Sequence, residues 1–339
     1  MKKTFRLKSI IFISLFALVL SGCTSAGSKS PASDDSSSDK GSANLRTVEI
    51  TDVYGKVTVP VNPKKVVALD NRTFETLADW GVELAAVPKG IMPADSPYVA
   101  DDSVLDIGTH NDPNLEMIAA VDPELVIVGQ RFASHYEEIK ALVPNATVIN
   151  LDIDISAKVG SPGDNLINGL KDATRSLGLI FDKTADAEQL ILDFDKAIAD
   201  ARSAYNGSDT VISVVVSGGE IGYSAPGLGR VWGPMYEIFN WKSALEVAGT
   251  TSDHQGDDIS VEAIAQSNPD WIFVLDRDAA TSSAADQVPA QDVIDRSPAL
   301  QNTRAVTQGQ ILYAPKDTYV NESIQTYLEL FENFASALA

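Results

Sequence analysis

The sequence contains few of the residues on which catalytic and metal sites usually depend. Among its 339 residues there is one cysteine, Cys23, and there are only three histidines, His110, His135 and His254. A single cysteine excludes an intrachain disulfide. No histidine lies in a His-Glu-x-x-His pattern, and neither a phosphate-binding Gly-x-x-x-x-Gly-Lys loop nor a Gly-x-Ser-x-Gly elbow is present. These absences argue against the common hydrolases and nucleotide-binding enzymes, and a surface-anchored hydrolase that uses carboxylates is left as a remote alternative.

Positive charge is also scarce. The chain has 26 Lys and Arg against 47 Asp and Glu, which gives a formal net charge of −21 at pH 7. A protein this acidic is a poor partner for nucleic acid or for an anionic lipid surface. It also repels anionic ligands, so a cleft that binds an anion must concentrate positive charge locally.

The hydrophobic run near the amino terminus is too short to cross a bilayer. Residues 9–20 form an apolar segment of 12 residues behind four basic side chains, which is the layout of a secretory signal. Leu-Ser-Gly-Cys at 20–23 resembles a lipobox, in which Cys23 becomes the lipidated first residue of the mature protein. We therefore predict a signal peptide at 1–22, and a lipidated Cys23 with a flexible tether rich in Ser and Asp at 23–45.

What the sequence does contain is an internal repeat. Residues 114–131 and 260–277, 146 positions apart, each open with a short helical pattern that stops at Asp-Pro or Asn-Pro, because proline disfavours helix in the residue before it. A buried-looking strand then delivers an arginine, Arg131 or Arg277, to its carboxyl end. Open α/β sheets bind ligands outside the carboxyl ends of their strands. Two lobes that face each other would therefore direct both arginines into one cleft.

Alternating strand and helix patterns predict an α/β fold. Residues 47–60 predict a β-hairpin, after which strand and helix alternate as a parallel sheet requires. Apolar residues recur at helical spacing through 184–206 and predict one long amphipathic helix. We expect two Rossmann-like lobes, at 46–183 and 207–339, joined by that helix, with the ligand cleft between the lobes.

A glycine-rich loop supplies a third candidate arginine. Residues 222–236 are rich in Gly and Pro, and Arg230 stands directly before a helical segment. Loops of this composition commonly approach a ligand closely. Arg230 is either a ligand contact or a solvated surface residue, and its spacing alone favours neither.

The chain resembles the class III substrate-binding proteins of ABC importers, and within them the ferric-siderophore binders of the catecholate and petrobactin type. The segments that carry the resemblance are 52–60, 63–67, the two repeats, 254–262 and 312–319. The resemblance implies a cleft in which three arginines embrace the negative charge of an iron-catecholate complex. These arginines match Arg131, Arg230 and Arg277. Guanidinium suits the task because it is permanently charged and stacks on aromatic rings.

The same resemblance implies further site residues. Some members offer one histidine and one tyrosine to Fe(III) when the siderophore supplies only four donor atoms, and His254 and Tyr319 match them here. Glu116 and Glu262, one in each repeat, match a pair that docks onto arginines of the membrane permease. A permease dimer with two-fold symmetry would present two equivalent basic pockets to such a pair.

The expected protein is a monomeric, lipid-anchored receptor on the extracellular face of a membrane, which captures a ferric catecholate-type siderophore and delivers it to an ABC permease. Fe(III) arrives as part of the ligand, and neither an intrinsic cofactor nor a nucleic-acid partner is expected. A receptor of the same class for haem, cobalamin or a hydroxamate siderophore is the alternative, although those ligands carry less compact negative charge. His110 and His135 are expected to be surface residues.

Overall fold

The computed structural model describes residues 46–156, 158–281 and 287–339. The predicted signal peptide, the predicted lipidation site at Cys23 and the predicted tether lie outside the described residues. Leu45–Ala339 forms one compact unit, in which the chain builds two α/β lobes. None of the helices in the described part of the chain is both long and apolar enough to cross a membrane.

The first lobe is built on a parallel sheet preceded by a hairpin. Its strands are β1 (Thr47–Asp52), β2 (Gly55–Pro60), β3 (Val66–Ala68), β4 (Ala86–Val87), β5 (Leu105–Asp106), β6 (Leu125–Val128) and β7 (Thr147–Asn150). Its helices are α1 (Phe74–Asp79), α2 (Pro97–Ala100), α3 (Leu115–Val121) and α4 (Tyr136–Leu142). Within the described residues the sheet has the order β5-β4-β3-β6-β7 with parallel pairs. β1 and β2 pair antiparallel, so the predicted hairpin is confirmed.

Two long helices follow, α5 (Pro162–Ile180) and α6 (Thr184–Ala204), and the second lobe then begins. Its strands are β8 (Thr210–Ser217), β9 (Glu220–Tyr223), β10 (Lys242–Ser243), β11 (Trp271–Asp276) and β12 (Ile311–Tyr313). Its helices are α7 (Gly233–Ile238), α8 (Val261–Ser267), α9 (Arg277–Thr281), α10 (Ala290–Arg296), α11 (Arg304–Gln308), α12 (Thr318–Asn321) and α13 (Ile324–Ala337). In the described residues the parallel order is β10-β8-β11-β12, and β9 pairs antiparallel with β8.

The central strands of both parallel sheets are buried on both faces. Along β6, Leu125 and Ile127 enter one hydrophobic cluster, whereas Val126 and Val128 enter another. The side chains of β11 divide between two clusters in the same alternating way. Successive side chains of a strand point to opposite faces, so a continuous apolar run is what a central parallel strand needs. The carboxyl ends of β6 and β11 are therefore held rigidly by packing on both sides.

The two long helices contribute to the cores in different ways. Leu166 and Leu170 of α5 pack in the aromatic core of the second lobe, whereas Leu177 and Ile180 of the same helix pack in the core of the first lobe. The buried side chains of α6, such as Phe194, join the second-lobe core beside α13. Helical spacing predicted α6 but could not show which core the helix faces. The boundaries 46–183, 184–206 and 207–339 stay a prediction, and α5 is the helix whose packing passes from one core to the other.

Candidate functional site

The two sequence repeats have the same local structure. α3 begins after Asn114 and α8 after Ser260, and each of these side chains accepts a hydrogen bond from a backbone N–H three residues on. Both helices end at a residue in the left-handed region, Asp122 with φ 50° and Asn268 with φ 45°. A short polar side chain tolerates that conformation, and the proline that follows cannot continue a helix. The predicted helix, turn and strand are therefore present in each copy.

Glu116 and Glu262 occupy the same place in the two copies. Each is in the first turn of its helix, α3 or α8, and each is exposed. A buried isoleucine lies two residues after each glutamate, Ile118 in the first lobe and Ile264 in the second, with 0% exposure. The buried isoleucine fixes the rotation of each helix, so the two carboxylates have equivalent settings on their lobes.

Two of the three predicted arginines follow the carboxyl ends of central strands. Arg131 lies in a 3₁₀ helix, Gln130–His135, which Gly129 separates from the end of β6. Arg277 is the first residue of α9 and follows β11 directly. Its Nη1 donates a hydrogen bond of 3.1 Å to the Oγ of Ser217 at the end of β8. Each arginine therefore projects from the sheet edge at which α/β folds bind ligands.

Arg230 lies in the glycine-rich loop between β9 and α7, and a tight backbone holds it in place. The backbone oxygen of Arg230 accepts hydrogen bonds from the Trp232 N–H at 2.7 Å and from the Ser224 hydroxyl at 3.2 Å. Gly229 is packed so closely that a Cβ there would lie 2.4 Å from Ser224 Oγ. Val231 has φ 63°, a strained conformation for a β-branched residue that persists only where its surroundings enforce it. The Arg230 side chain is mostly buried, with 15% exposure, and is not a solvated surface group.

The three arginines converge on Tyr319, which lies on α12 with 4% exposure. The guanidinium carbons of Arg131, Arg230 and Arg277 lie 5.8, 4.4 and 5.2 Å from the centroid of its ring. The backbone oxygen of Tyr319 accepts hydrogen bonds from Arg131 at 3.0 Å and from Arg230 at 3.2 Å. Cation–π attraction and a shared carbonyl thus hold together cations that repel one another. We call these four side chains the arginine cluster.

The arginine cluster is short of negative charge. Burial lowers the pKa of Arg131, and repulsion from Arg230 lowers it further. Among the described residues, neither Arg131 nor Arg277 has a carboxylate within ion-pair distance, whereas Arg230 contacts Glu322. Burial of unpaired cations is unfavourable. An anion placed among them would relieve both the desolvation and the repulsion.

Glu322 connects the cluster to a fourth arginine that the sequence interpretation did not include. The Glu322 carboxylate contacts the Arg230 guanidinium and lies 3.3 Å from Nη2 of Arg72, and both Arg72 and Glu322 have side chains that are 3% exposed. Nη1 of Arg72 also lies 3.5 Å from Asp152. Burial alone would raise the pKa of the Glu322 carboxyl, but Arg230, Arg72 and Arg131 hold it below its usual value. A buried chain of charges thus joins the first lobe to the second.

Asp70 is a second buried carboxyl beside Arg72. It has 0% exposure, and its Oδ1 accepts a hydrogen bond of 3.2 Å from the Arg72 N–H. Its Oδ2 is buried without a hydrogen-bond partner in the structure. Burial raises the pKa of Asp70 to about 7, although the Arg72 charge acts in the opposite direction.

A cavity of about 510 Å³ is lined by residues of both lobes, and although no side chain of the arginine cluster lines it, sequence neighbours of two of the arginines do. Gln130 and Asp152 line it from the first lobe, and Leu228 and Ser252 line it from the second. Gln130 precedes Arg131, and Leu228 lies two residues before Arg230. Tyr54, which is 61% exposed and stacks on Tyr136 at 4.4 Å, stands at the same cavity. The volume is within the range of small-molecule sites.

The structure does not place His254 with the other predicted site residues. His254 is exposed in the segment between β10 and α8. Its neighbour Asp253 accepts hydrogen bonds from the backbone N–H groups of Gln255 and Gly256. No described contact joins it to Tyr319, and the described residues hold no group of three or more His, Cys, Asp or Glu side chains placed to bind a metal ion. Its role as an iron ligand stays a prediction.

His110 and His135, which we expected at the surface, are half-buried near the cluster. His135 Nε2 lies 3.2 Å from the backbone oxygen of His110, and His135 ends the 3₁₀ helix that contains Arg131. The Nδ1 of His110 is buried without a partner in the structure. Burial lowers the pKa of His110, and the charges of Arg131 and Arg230 lower it further. The expectation was wrong because the polar sequence around His110 gives no sign that its loop folds against Arg131.

One sequence signal could have identified Arg72. Asp70, Asn71 and Arg72 follow β3 in the way that Arg131 follows β6, so the rule that selected Arg131 applies to Arg72 as well. No comparable signal marks Glu322, because its partner Arg72 lies 250 residues away in the sequence.

Comparison with known proteins agrees with this architecture. A family model described as "Periplasmic binding protein" matches residues 66–318. The chain is 28% identical over 317 residues to the petrobactin-binding protein YclQ of Bacillus subtilis (strain 168), with 92% of each chain covered. The crystal structure of YclQ matches with a TM-score of 0.72 at 24% identity, over 86% of this chain and 99% of YclQ.

A second solved structure is the siderophore-binding protein BauB bound to a complex between two molecules of acinetobactin and ferric iron. It matches with a TM-score of 0.73 at 23% identity, over 87% of this chain and 99% of BauB. The predicted two-lobed α/β fold is confirmed by these likenesses.

Proposed function

The chain belongs to the periplasmic binding protein family, and from that premise we propose that it is the substrate-binding component of an ABC importer and captures a ferric siderophore of the catecholate type. The family consists of binding proteins and not of enzymes. Iron is then the cargo, carried inside the ligand, and the protein contributes shape and charge.

The observation that carries the proposal is the convergence of Arg131, Arg230 and Arg277 on one buried ring. Three catecholates around Fe(III) leave a compact trianion with aromatic edges. Guanidinium groups are weakly hydrated, stay charged when buried, and both pair with oxygen anions and stack on aromatic rings. The relative YclQ is named for petrobactin, which supports a ferric siderophore as the ligand. Haem, cobalamin and hydroxamate complexes would leave this concentration of positive charge unexplained, since among the described residues only Arg230 of the three arginines has a carboxylate partner.

For siderophores that leave coordination positions open, we propose that Tyr319 and His254 bind the iron. Fe(III) is a hard ion that accepts phenolate oxygen, and Tyr319 is already surrounded by the ligand-binding arginines. His254 is exposed and lies two residues after Ser252, which lines the cavity, and this supports its choice as the second protein ligand. Tyr319→Phe should then abolish the phenolate-to-iron charge-transfer shift that binding causes in the spectrum of a tetradentate ferric catecholate, and His254→Gln should change that shift. An unchanged spectrum in a variant rules out that residue as a ligand.

Delivery to a permease is proposed to use Glu116 and Glu262. Both carboxylates are exposed at matching positions on the two lobes, as a permease dimer with two-fold symmetry would require. We further propose that the receptor is a monomer held at the extracellular face of the membrane by lipid on Cys23.

A titration of tryptophan fluorescence tests the ligand class. Trp232 is buried two residues after Arg230, so a coloured ferric complex bound at the arginine cluster should quench it. The full chain in mild detergent is titrated with a ferric tris-catecholate, a ferric bis-catecholate, a ferric hydroxamate and haem.

Quenching by the catecholates at submicromolar concentration, with little from the other two, is the expected result. Preference for the hydroxamate or for haem would keep the family and overturn the ligand class. No response to any of the four would remove the proposed function altogether.

A further inference from the structure

Glu322 is a buried carboxylate inside a site that otherwise selects anions. It lies between α12 and α13, three residues after Tyr319, with 3% exposure and φ 52°. A glutamate in the left-handed conformation, buried beside arginines, is costly unless its surroundings fix it. Capture of an anion by the arginines does not explain why a carboxylate is buried among them.

Both lobes fix the position of Glu322. The residue before it is Asn321, whose backbone oxygen accepts a hydrogen bond of 2.9 Å from the Asn71 side-chain amide. The side-chain amide of Asn321 donates to the Glu75 carboxylate at 2.7 Å. The residue after it, Ser323, donates to the same Glu75 carboxylate. Asn71 and Glu75 belong to the first lobe, whereas Glu322 follows the last strand of the second. The carboxylate therefore cannot leave the cluster without breaking contacts between the lobes.

Among the described residues, Glu322 forms an ion pair with only one of the three arginines of the arginine cluster, Arg230. It contacts Arg230 and it contacts Arg72 behind the cleft, but among the described residues Arg131 and Arg277 have no carboxylate within ion-pair distance. Asp70 and Asp152 contact Arg72, and in the described part of the chain neither of them forms an ion pair with Arg131, Arg230 or Arg277. Glu322 is thus the internal counter-ion of the ligand site.

We propose that Glu322 is a specificity-determining residue, a fixed counter-ion that sets how strongly the cleft discriminates between ligands of the same shape and different charge. This inference rests on the proposed function. A permanent negative charge beside Arg230 repels each unit of ligand charge, and it therefore reduces the advantage of a more highly charged complex over a less charged one. The cleft then still binds an anionic complex, but its affinity rises less steeply with the charge of the ligand. Anions of the wrong shape therefore gain less affinity from charge alone, which favours selectivity.

The test uses one hexadentate tris-catechol carrier loaded with Fe(III) or with Ti(IV). The two complexes have nearly the same shape, but the first is trianionic and the second is dianionic. Dissociation constants of both are measured by fluorescence titration of the full chain in detergent, and the readout is the ratio of the two affinities. General damage to the site weakens both complexes and cancels in that ratio.

Glu322→Gln should raise the preference for the trianion by about tenfold, which is the size expected for one unit charge at about 10 Å with an effective dielectric constant of about 20. Glu322→Asp keeps the charge and should keep the wild-type ratio, even if both affinities fall. Glu332→Gln removes an exposed carboxylate from α13 and is the matched control for the net charge of the protein. Its ratio should equal that of the wild type.

A second pair of variants keeps the test valid if Glu322→Gln does not fold, because that change removes the buried carboxylate beside Arg72 and leaves only Asp152 within ion-pair distance of it among the described residues. Arg72→Gln and the double variant Arg72→Gln/Glu322→Gln differ only in the carboxylate, and the ratio should rise in the double variant. An unchanged ratio in both comparisons would overturn the inference and leave Glu322 a structural residue. If the wild-type protein binds neither complex, the proposed function fails first, and that outcome is distinct from an unchanged ratio.

Discussion

The two lobes carry the same structural unit up to the end of one strand and differ immediately after it. In both, a polar side chain caps a helix, a left-handed Asp or Asn ends it, and a strand buried on both faces leads to an arginine. In the first lobe the strand is followed by Gly129, where a Cβ would lie 2.1 Å from Cγ of Asp70. In the second, the last strand residue is Asp276, whose carboxylate accepts hydrogen bonds from the backbone N–H groups of Ala279 and Ala290.

This difference shows what the repeat does and does not determine. The shared helix and strand place an arginine at the sheet edge in each lobe. The residue next to the strand end determines the surroundings, because Gly129 lets the buried Asp70 approach β6, whereas Asp276 holds the start of α9 and α10. At its strand end the first lobe therefore places the buried Asp70 carboxyl, whereas the second lobe has a carboxylate there that supports the two following helices.

The largest expected effect comes from removing the arginine of either lobe. Arg131→Met and Arg277→Met should each weaken binding of a ferric tris-catecholate by about a hundredfold or more, which is typical for one partner of a desolvated charge pair. Neither arginine has a carboxylate partner among the described residues, so the melting temperature should change little. Titration calorimetry and thermal unfolding measure the two quantities.

Arg296→Met is the matched control, since Arg296 is exposed and pairs only with Asp292 in the structure. A fall in thermal stability as large as the loss of affinity would contradict the cleft assignment. An effect in only one lobe would contradict the equivalence of the two strand ends.

Asp70→Asn should remove a pH dependence of stability that arises from the buried carboxyl beside the strand end of the first lobe. The folded-state pKa of Asp70 is about 7, above its ordinary 3.8, so the folded protein binds this proton more tightly than the unfolded chain. The Asp70 contribution to stability is therefore present at low pH and is lost as the pH rises through about 7. Between pH 5 and pH 7 the difference amounts to about 2 kcal/mol. Urea unfolding of both proteins at several pH values measures it.

Asn keeps the oxygen that accepts from the Arg72 N–H. Asp276→Asn in the second lobe retains Asp70 and should retain the wild-type slope. If Asp70→Asn has the same slope as the wild type between pH 5 and pH 7, the buried carboxyl is not the group that titrates.

The two exposed glutamates test whether the lobes are equivalent towards the permease. Glu116→Lys and Glu262→Lys should each lower iron uptake by cells about tenfold through repulsion of a basic partner, while the affinity for the ferric ligand is unchanged. Glu332→Lys serves as the exposed control. Normal uptake with either variant would exclude that glutamate from docking.

The smallest effect is expected at the helix caps. Asn114→Ala and Ser260→Ala should each lower the free energy of unfolding by about 1 kcal/mol. Each substitution removes the side-chain oxygen that accepts a hydrogen bond from a backbone N–H in the first turn of the helix. The two losses should add in the double variant, since the caps lie in different lobes. Urea unfolding checks both points, and clearly unequal losses would show that the two copies are less alike than their geometry indicates.

Much of the fold could be predicted from local patterns. The hairpin at 47–60, the helix beginning at Thr184 and the two repeats all depend on spacing, on caps and on the effect of proline on its neighbour. These causes act over a few residues, so they are legible in the sequence. The arginine cluster was predicted in part, because the strand-end rule selected Arg131 and Arg277 and the family resemblance added Arg230 and Tyr319.

The sequence by itself determined the two similar lobes, their shared helix–turn–strand unit and the presence of an arginine at each strand end. Only the tertiary structure decided that these arginines surround Tyr319, that Arg72 and Glu322 join them, and that His110 lies close by. Arg131 donates to a residue 188 positions away, and Arg72 pairs with one 250 positions away. Contacts at such separations depend on how two packed lobes face each other, and no local pattern in the chain encodes that arrangement.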